Sequence, residues 1–566
     1  MSDFITTLHP DNEVDVNLYP NIKKENIPNG AVTTEKIYPK AITIDKLDDT
    51  LVDYFHELGG ATQEQVNEWL DNHPEATTSV EDHSLSKDKL IIGTMGYITP
   101  EMFGAVGDGI TDDTNALISC LSYKNIELTA NKTYLISDSL TLGDNICIKG
   151  NNATLSFINV TTNIDEQAVD GACIYITGNN VTLKDINFIG DNAWIRRPYT
   201  WESNFDAWYT LRVKTKSLFT INGCDKLFLE NLNSKGFRNQ FVMRNTTNFK
   251  INNCYVNETL ADGFFIGYGC SNGIITNCQG EKTDDDFISV TADGSHTDLL
   301  PHDIIADGNR CNNCWGAYFC TEGTYNVSCL NGFASDIHFK PLKFGEFNVR
   351  GVIINSGLQI FSNITILLNE TIQGDSNENL ESVACGLGAN VDVIFNNVTF
   401  IKPLDAKPML FYINGGKVTL KNSTFTGGSW WFRALTLLNL DNNTFNPNGR
   451  INFTGENAII KNNVFNKDFS TYTGIIEINT TNATFVKNTL IGYSTTYPIT
   501  SSSTTLLYEG LDLLDGNSVG TIKNDTISTS ARVSPSKMLS GFVYSNSKLY
   551  ACIGGNKYVI TMTYES

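Results

Sequence analysis

The chain has 566 residues, of which 41% are hydrophobic and 18% charged, so it can bury large apolar cores and is not a disordered protein. Its 45 glycines and 14 prolines, with many Asn, Thr, Ile, Val and Phe residues, favour short strands and turns and exclude an all-helical fold. The net charge of −22 repels phosphate backbones and anionic bilayers, so neither nucleic acid nor membrane is expected as a partner.

Residues 1–92 carry a short repeat followed by two amphipathic stretches. The segment Ala31–Ile37 returns ten residues later as Ala41–Leu47. Apolar residues then recur at helical spacing up to Leu58, and Thr62 opens a second short helix. Helices this short are marginal alone, so the segment is either a small helical domain or one completed by other copies of the chain. The sequence begins without a signal-peptide pattern, so export through a secretion channel is not expected.

After Tyr97 the sequence changes to short strands separated by Asn and Gly. A helix is predicted from Asp113 to Tyr123, capped by Asp112 and Asp113, because its apolar residues share one face. The preceding segment, Met102–Thr114 (MFGAVGDGITDDT), resembles the opening motif of right-handed parallel β-helices of the pectate-lyase-like superfamily, which recurs in bacteriophage tailspikes and appendages. The resemblance implies an all-β parallel β-helix (a solenoid) closed at its start by a capping helix. The acids of the motif are interpreted as turn and cap residues.

Residues 193–209 interrupt the strand pattern with an aromatic and basic segment. Pyranose rings stack on aromatic rings, and Arg binds carboxylate or phosphate groups. The segment is therefore predicted to be an outward loop that binds a sugar polymer; the alternatives are a self-packed loop or a contact between chains. Its candidate substrate-binding residues are Trp194, Arg196, Arg197, Tyr199, Trp201 and Trp208, and Glu202 and Asp206 are secondary catalytic candidates.

A column of acids is predicted from the spacing of three Asn-Cys pairs. The pairs at 253–254 and 277–278 are offset by 24 residues, and that offset carries Asp262 onto Asp286. The pair at 313–314 is offset by a further 36, which carries Asp286 onto Glu322. The additional residues fit an excursion that contains His296, a further substrate-binding candidate. Residues one coil apart lie about 4.8 Å apart, so these carboxylates repel one another.

Three interpretations of this acidic column stay open: an acid/base centre, a divalent-cation site at Asp284–Asp286, or a solvated ridge. Asp262, Asp285 and Asp286 resemble the acids of polygalacturonase-type glycosidases, which sit on neighbouring coils of this fold. Asp262, Asp285, Asp286 and Glu322 are therefore the predicted catalytic residues, in a reaction without a cofactor. The Cys311-x-x-Cys314 pair lacks a second ligand pair at zinc spacing, and the 13 cysteines are predicted to be reduced packing residues.

A period of 20–25 residues marks the second half of the chain. The pattern Asn-x-x-Phe ends at Phe400, Phe425, Phe445 and Phe465, and a weaker copy ends at Leu490. This period is typical of the coils of a parallel β-helix, which stack like residues into internal columns, and it is too short for a β-propeller blade. The coils are predicted to end near residue 505. Three short strands between turn signals after Gly541 then predict a small antiparallel meander.

Together these features resemble a phage tailspike or appendage protein, which implies a homotrimer on the virion, synthesised in the host cytoplasm. Residues 1–92 would attach to a tail or collar protein of the virion. Residues 93–505 would bind and hydrolyse a host surface polysaccharide or teichoic acid, and residues 506–566 would cap the trimer. The alternatives are a receptor-binding spike without catalysis, a metal-assisted teichoic-acid phosphodiesterase, and a cellular pectinase-like enzyme.

Overall fold

A computed structural model describes the chain from residue 97 onward. The described ranges are 97–161, 171–198, 205–292, 295–338, 342–345, 347–349, 352–354, 356–368, 382–385, 391–401, 410–447, 449–466, 476–491, 499–501, 503, 505–509, 512–515, 518–519, 538–545, 548–553 and 556–560. The predicted attachment segment 1–92 lies outside the described residues, as do Tyr199, Trp201 and Glu202. Thr99–Ser566 forms one compact unit, to which the following description applies.

The described residues contain little helix. The helices are a 3-10 turn (Pro100–Phe103), α1 (Thr114–Cys120) and α2 (Phe205–Lys214). The strands of the first half are β1 (Asp108–Asp112), β2 (Asn125–Glu127), β3 (Thr133–Ile136), β4 (Leu140–Leu142), β5 (Cys147–Phe157), β6 (Ala172–Ile176), β7 (Val181–Gly190), β8 (Ser217–Asn222), β9 (Asp225–Phe237), β10 (Phe241–Arg244), β11 (Thr247–Asn252), β12 (Tyr255–Thr259), β13 (Phe264–Ile266), β14 (Ser271–Thr276), β15 (Gln279–Thr283), β16 (Ile288–Thr291), β17 (His302–Asp307), β18 (Arg310–Cys314), β19 (Phe319–Glu322), β20 (Tyr325–Leu330), β21 (Phe333–Ile337) and β22 (Leu342–Gly345).

The strands of the second half are β23 (Phe347–Val349), β24 (Val352–Ile354), β25 (Gln359–Leu368), β26 (Ser382–Cys385), β27 (Asp392–Ile401), β28 (Leu410–Lys421), β29 (Thr424–Thr426), β30 (Ser429–Asp441), β31 (Thr444–Asn446), β32 (Ile451–Lys461), β33 (Val464–Asn466), β34 (Ile476–Val486), β35 (Thr489–Ile491), β36 (Ile499–Ser501), β37 (Thr505–Glu509), β38 (Asp512–Asp515), β39 (Ser518–Val519), β40 (Met538–Ser545), β41 (Lys548–Ile553) and β42 (Asn556–Ile560). In this half, β23 and β24 pair antiparallel with each other, and the parallel pairing continues from β25 to β38.

The coils around the acids each have three strands, which stack into three parallel faces. The first face contains β11, β14, β17 and β20, and the second contains β12, β15, β18 and β21, with the long strand β9 pairing with both. The third face is a separate sheet of eight parallel strands that runs from β4 to β22 and includes β10, β13, β16 and β19. The predicted parallel β-helix is therefore confirmed.

The repeated Asn-x-x-Phe pattern gives each coil a corner and a core residue. The phenylalanines stack in register, with ring centroids 5.6 Å apart for Phe400 and Phe425 and 5.2 Å apart for Phe425 and Phe445. The Asn of each copy has a left-handed backbone, with φ between 52° and 57° at residues 397, 422, 442 and 462. Asn adopts this conformation more readily than most residues, so the corner selects it. In the weaker copy Lys487 takes the same conformation, with φ of 51°.

The predicted capping helix is present as α1, and it buries Ala116, Leu117 and Cys120. The acids of the opening motif serve turns, as predicted, but the cap differs in detail. Asp112 Oδ1 accepts the Thr114 backbone N–H at 3.0 Å. The Asp113 carboxylate instead turns back and accepts the N–H groups of Val106 and Gly107, at 2.7 and 3.0 Å, so it fixes the loop before the helix.

At the other end, parallel pairing extends past residue 505, because Asn482 pairs with Thr505 and Leu490 with Leu513. The predicted meander is confirmed as β40, β41 and β42, which pair antiparallel. Eleven cysteines with described side chains are free, and ten of them are buried. Among these ranges there is also no helix with the length and apolar character needed to cross a bilayer.

Candidate functional site

The acids lie in the turns that connect the second face to the third. Asp262 stands between β12 and β13, and Asp284–Asp286 stands between β15 and β16. Phe264 pairs with Ile288 and Ile266 with Val290, so the predicted offset of 24 residues is confirmed. Asp262 consequently sits beside Asp286, and its Oδ1 accepts the Asp286 backbone N–H at 3.2 Å.

Three carboxylates converge at this point. One oxygen each of Asp262, Asp285 and Asp286 can be chosen so that all three lie within 4.8 Å of one another. Burial, together with the charges of Asp285 and Asp286, raises the pKa of Asp262 well above its usual value. Burial, together with the charge of Asp285, raises the pKa of Asp286 to about 6. The Asp262–Asp286 pair therefore retains a proton at pH values where an ordinary aspartic acid has lost it.

Each member of this pair is held by hydrogen bonds. Asp286 Oδ1 accepts the Ala317 backbone N–H at 2.7 Å, from the turn of the next coil. Asp262 Oδ2 accepts the side-chain amide of Asn239 at 3.2 Å. Gly316 lets the next turn approach closely, because a Cβ there would lie 2.7 Å from Asp286 Oδ1 and 2.5 Å from the Asp285 carbonyl carbon. The neighbouring coils thus fix the positions of both carboxylates.

Asp285 faces two arginines, Arg197 of the aromatic segment and Arg212 of α2. Arg212 Nη2 on α2 lies 3.1 Å from Asp285 Oδ2, and Arg197 Nη1 lies 3.8 Å from the same oxygen. These guanidinium groups offset part of the negative charge of the cluster. On the opposite side, Lys343 pairs with Glu322 at 2.8 Å, and its charge lowers the pKa of Asp286 against the effect of burial.

Asp284 is fully buried and anchors the aromatic segment to the β-helix. Its Oδ2 accepts the Trp208 indole N–H at 3.1 Å and the Arg197 backbone N–H at 3.0 Å. Arg196 Nη1 lies 3.5 Å from its other oxygen. Burial raises the pKa of Asp284 to about 7 despite these stabilising contacts. Asp284 therefore binds the segment and is not one of the three converging carboxylates.

The aromatic segment lies directly against the acids. Its described aromatic and arginine side chains contact other residues of the chain, whereas the sequence predicted an outward sugar-binding loop. Trp208 is 1% exposed, so it cannot offer a ring face to a sugar. Trp194 is half-buried and donates its indole N–H to the Thr259 carbonyl at 3.1 Å. Arg196 and Arg197 are paired with Asp284 and Asp285 within the chain. The described part of the segment is thus a packed support for the acids, while the predicted Tyr199 and Trp201 lie outside the described residues.

Glu322 is not stacked on Asp286, contrary to the prediction. Ile288 pairs with Phe319 and Thr291 with Glu322, an offset of 31 residues, which puts Ala317 opposite Asp286. The corner expected at Asn313 is occupied by Gly308, which precedes β18 and has φ of 68°. Glu322 pairs with Lys343, and its charge adds to the rise in the pKa of Asp286.

His296 is not brought to the acids either. It follows β16, beyond the carboxyl ends of the third-face strands, whereas the acids precede the amino ends of those strands. Its ring stacks on Tyr268 with the centroids 3.8 Å apart. The secondary candidate Asp206 is exposed in the first turn of α2.

Four residues at the site escaped prediction: Arg212, Trp315, Gly316 and Lys343. Arg212 follows Trp208 by four residues, the spacing that places side chains on one side of a helix, and this signal was available. The Trp315 ring lies 3.5 Å from the Arg197 guanidinium carbon, and its position was hidden by the incorrect offset of 36. Nothing in the sequence pattern marks Lys343.

The oxygens of the converging carboxylates could also serve as ligands of a cation. Within the described ranges, Asp262, Asp285 and Asp286 are the group of acids, histidines and cysteines close enough to share an ion. Hard divalent cations prefer such oxygen ligands. Arg212 already lies at hydrogen-bond distance from Asp285, so a cation there would have to compete with the guanidinium group.

No protein-family model matches the chain. A segment of 42 residues is 57% identical to the capsule K30/K69-specific depolymerase of Klebsiella phage K64-1, and it covers 7% of this chain and 5% of that protein. The fold is similar to that of the N-terminal fragment of bacteriophage phi29 gene product 12, with a TM-score of 0.52 and 14% identity over 75% of this chain and 73% of that one. The catalytic unit of the GH87 α-1,3-glucanase from Streptomyces thermodiastaticus strain HF3-3 gives a TM-score of 0.42 and 14% identity over 74% of this chain and 68% of that one. The predicted resemblance to phage appendage proteins is confirmed.

Proposed function

We propose that the protein is a phage tail appendage that binds and hydrolyses a glycopolymer of the host cell surface. The observation that carries the proposal is the convergence of Asp262, Asp285 and Asp286 within 4.8 Å on adjacent coils. Carboxylates this close repel unless they share a proton or a counterion, and folding alone gives no reason to gather them. The partial match to a capsule-specific phage depolymerase supports the same class of substrate.

The three carboxylates have the properties that glycoside hydrolysis requires. Asp286, with a pKa raised to about 6, and Asp262 hold a proton between them that can pass to the oxygen of the departing sugar. Asp285, oriented by Arg212, is the second carboxylate, which either attacks the anomeric carbon or takes the proton of a water molecule that adds to it. The glycosidic C–O bond breaks, one proton is donated to the leaving sugar and one is accepted from water, so the total charge of the site is unchanged at the end of the reaction.

The wider assignments belong to the same proposal. Residues 1–92 attach the protein to the tail or collar of the virion, the β-helix meets the host polymer, and the chain assembles as a homotrimer capped by residues 506–566. The virion is the expected location, after synthesis in the host cytoplasm. The net charge of −22 favours neither nucleic acid nor an anionic membrane as partner.

The proposal can be tested on surface polymers extracted from a panel of bacteria. The wild-type protein should release oligosaccharides with new reducing ends from at least one polymer, with or without a chelator. Asp286→Asn should lower the rate by about 100- to 10,000-fold, the usual contribution of general acid–base catalysis, and should still bind the polymer. Asp138→Asn is the matched control, because Asp138 is exposed and lies far from the site in sequence.

Other outcomes would select a different function. Binding without release of oligosaccharide by the wild-type protein would show a receptor-binding spike without catalysis. Release of glycerol phosphate that stops when a chelator is added would show the metal-assisted phosphodiesterase. Full hydrolytic activity in Asp286→Asn would exclude the acid cluster as the catalytic centre.

A further inference from the structure

A polar groove of about 390 Å³ lies on the second face, apart from the acid cluster. It crosses the coils that contain β5, β7, β9, β12 and β15. The groove is lined by Asn152, Asp185, Asn231, Asn233, Asn253, Cys254, Tyr255 and Gln279. Five of these eight side chains are primary amides, and none carries a positive charge.

One side of the groove is a ladder of corner residues. Asp185, Asn231 and Asn253 each have a left-handed backbone, with φ of 56°, 54° and 51°. Asn253 Nδ2 donates to Asn231 Oδ1, and Asn231 Nδ2 donates to Asp185 Oδ1, each at 2.7 Å. Because neighbouring coils are about 4.8 Å apart, the ladder presents a regular row of polar atoms along the helix axis.

The other side of the groove is formed by residues that pair with one another on neighbouring strands of the second face. Asn187 pairs with Asn233, Asn233 with Tyr255, and Tyr255 with Gln279. The first two amides are joined by a hydrogen bond of 2.9 Å. Gln279 is exposed, and in the described part of the chain its amide makes no hydrogen bond to another residue. Tyr255 is half-buried and donates its hydroxyl to Glu281 at 2.6 Å, which holds the side chain in place across the strands.

The chemistry of the groove defines the class of ligand. Amides donate and accept hydrogen bonds side by side, which suits the vicinal hydroxyl groups of a sugar, and a tyrosine ring can pack against the apolar face of a pyranose. Phosphate or uronate groups would meet Asp185 without any cation among the lining residues, in a chain of net charge −22. Arg310, which pairs with Gln279 on the next strand, is not part of the lining.

We propose that this groove is a second glycan-binding site, for neutral sugar units of the polymer. The inference rests on the proposed function in that one polymer chain would occupy the groove and the acid cluster. The strands that contribute Tyr255 and Gln279 lead into the turns that carry Asp262 and Asp286, seven residues later in both cases. At about 3.3 Å per residue the two sites are at most roughly 23 Å apart along the chain, a distance that a short oligosaccharide spans.

The test measures binding of the full-length protein to a printed array of neutral and acidic bacterial polysaccharides. All proteins carry Asp286→Asn, so that hydrolysis does not remove the ligand. The parent should bind neutral members of the array. Gln279→Ala and Tyr255→Ala should each weaken binding about three- to tenfold, the effect of losing one hydrogen bond or ring contact. Tyr325→Ala is the matched control, because it removes an exposed tyrosine that does not line the groove, and it should bind like the parent.

The outcomes separate this inference from the proposed function. Unchanged binding in both groove variants, preference for acidic polysaccharides, or no binding to any neutral member would each overturn the groove assignment. Gln279 is exposed, so its variant remains informative if Tyr255→Ala folds poorly. Absence of hydrolysis by the wild-type protein, with neutral binding that depends on Gln279, would refute the catalytic proposal and retain the groove.

Discussion

The buried carboxyl of Asp284 should make the protein less stable as the pH rises from about 4 to 7. Its pKa is raised from 3.8 to about 7 in the folded chain, because burial disfavours the charged form. Between these values the folded state holds a proton that the unfolded chain has released, so a rise in pH favours unfolding. A rise of about three in the pKa corresponds to a loss of roughly 4 kcal/mol in the free energy of unfolding. The loss is complete above the pKa of the folded state and absent below the pKa of the unfolded chain.

Asp284→Asn isolates this contribution, because asparagine does not titrate. The pH profile of the wild-type protein alone would not do so, since the pKa values of other carboxyls, including Asp225 and Asp441, are lowered and act in the opposite direction. The difference in the free energy of unfolding, variant minus wild type, should rise by about 3 kcal/mol between pH 5 and pH 8. Whether the variant is more or less stable than the wild-type protein at pH 8 also depends on the N–H groups of Trp208 and Arg197, which lose a charged acceptor.

Urea unfolding followed by tryptophan fluorescence at pH 5, 6, 7 and 8 measures this difference. Asp138→Asn, which removes an exposed carboxyl, serves as the control for the substitution itself. A constant difference for Asp284→Asn would refute the reasoning, since Asp284 would then titrate as it does in the unfolded chain. A fall in the difference with pH would show that the neighbouring guanidinium groups outweigh burial.

Two further predictions concern the backbone of the coils. Asn463 is buried and forms hydrogen bonds with Asn443, Asn488 and the Leu440 carbonyl. Asn463→Ala should therefore lower the free energy of unfolding, measured by urea unfolding, by about 1–3 kcal/mol. Asn462→Gly, at the neighbouring exposed corner, should change it little. Gly316→Ala should displace the turn over Asp285 and Asp286 and reduce both stability, by about 1–3 kcal/mol, and oligosaccharide release. Gly143→Ala, with no atom within 4 Å of the added Cβ, should leave both unchanged, and equal effects of the two glycine variants would contradict the close-approach argument.

The coils could be predicted from the sequence because a single physical requirement repeats in them. A corner needs a residue that accepts a left-handed backbone, and the core needs a large apolar residue three positions later. Asn422 and Phe425 meet both requirements, and Phe425 pairs with Phe445 in the predicted register. The offset of 24 around Asp262 succeeded for the same reason, since Asn253 and Asn277 both mark corners.

The offset of 36 failed because glycine meets the corner requirement as well as asparagine does. Gly308 takes the corner that follows Asn277, with φ of 68° against 56°. Asn313 belongs to a second column of left-handed residues, in which it follows Lys282. Matching on residue identity therefore joined two different columns, although matching on backbone conformation would have kept them apart.

The roles within the aromatic segment could not be predicted, because the same side chains suit an exposed platform and a buried support. Tryptophan and arginine bind sugars and carboxylates, but they also bind the carboxylates of their own chain. Trp208 is buried and donates its indole N–H to Asp284, which lies 76 residues away in the sequence. Such a pairing depends on the path of the segment over the coils, which the local sequence does not determine.

The consecutive residues Asp284, Asp285 and Asp286 show how one residue type acquires three roles through its partners. Asp284 accepts N–H groups of the aromatic segment, Asp285 faces Arg212, and Asp286 contacts Asp262 and the Ala317 N–H. Two of these three roles depend on Arg197, Trp208 and Arg212. Without Arg212, more of the negative charge of Asp285 would act on its neighbours, and the pKa of Asp262 would rise further. The aromatic segment and α2 therefore belong to the site through their charges and their N–H donors.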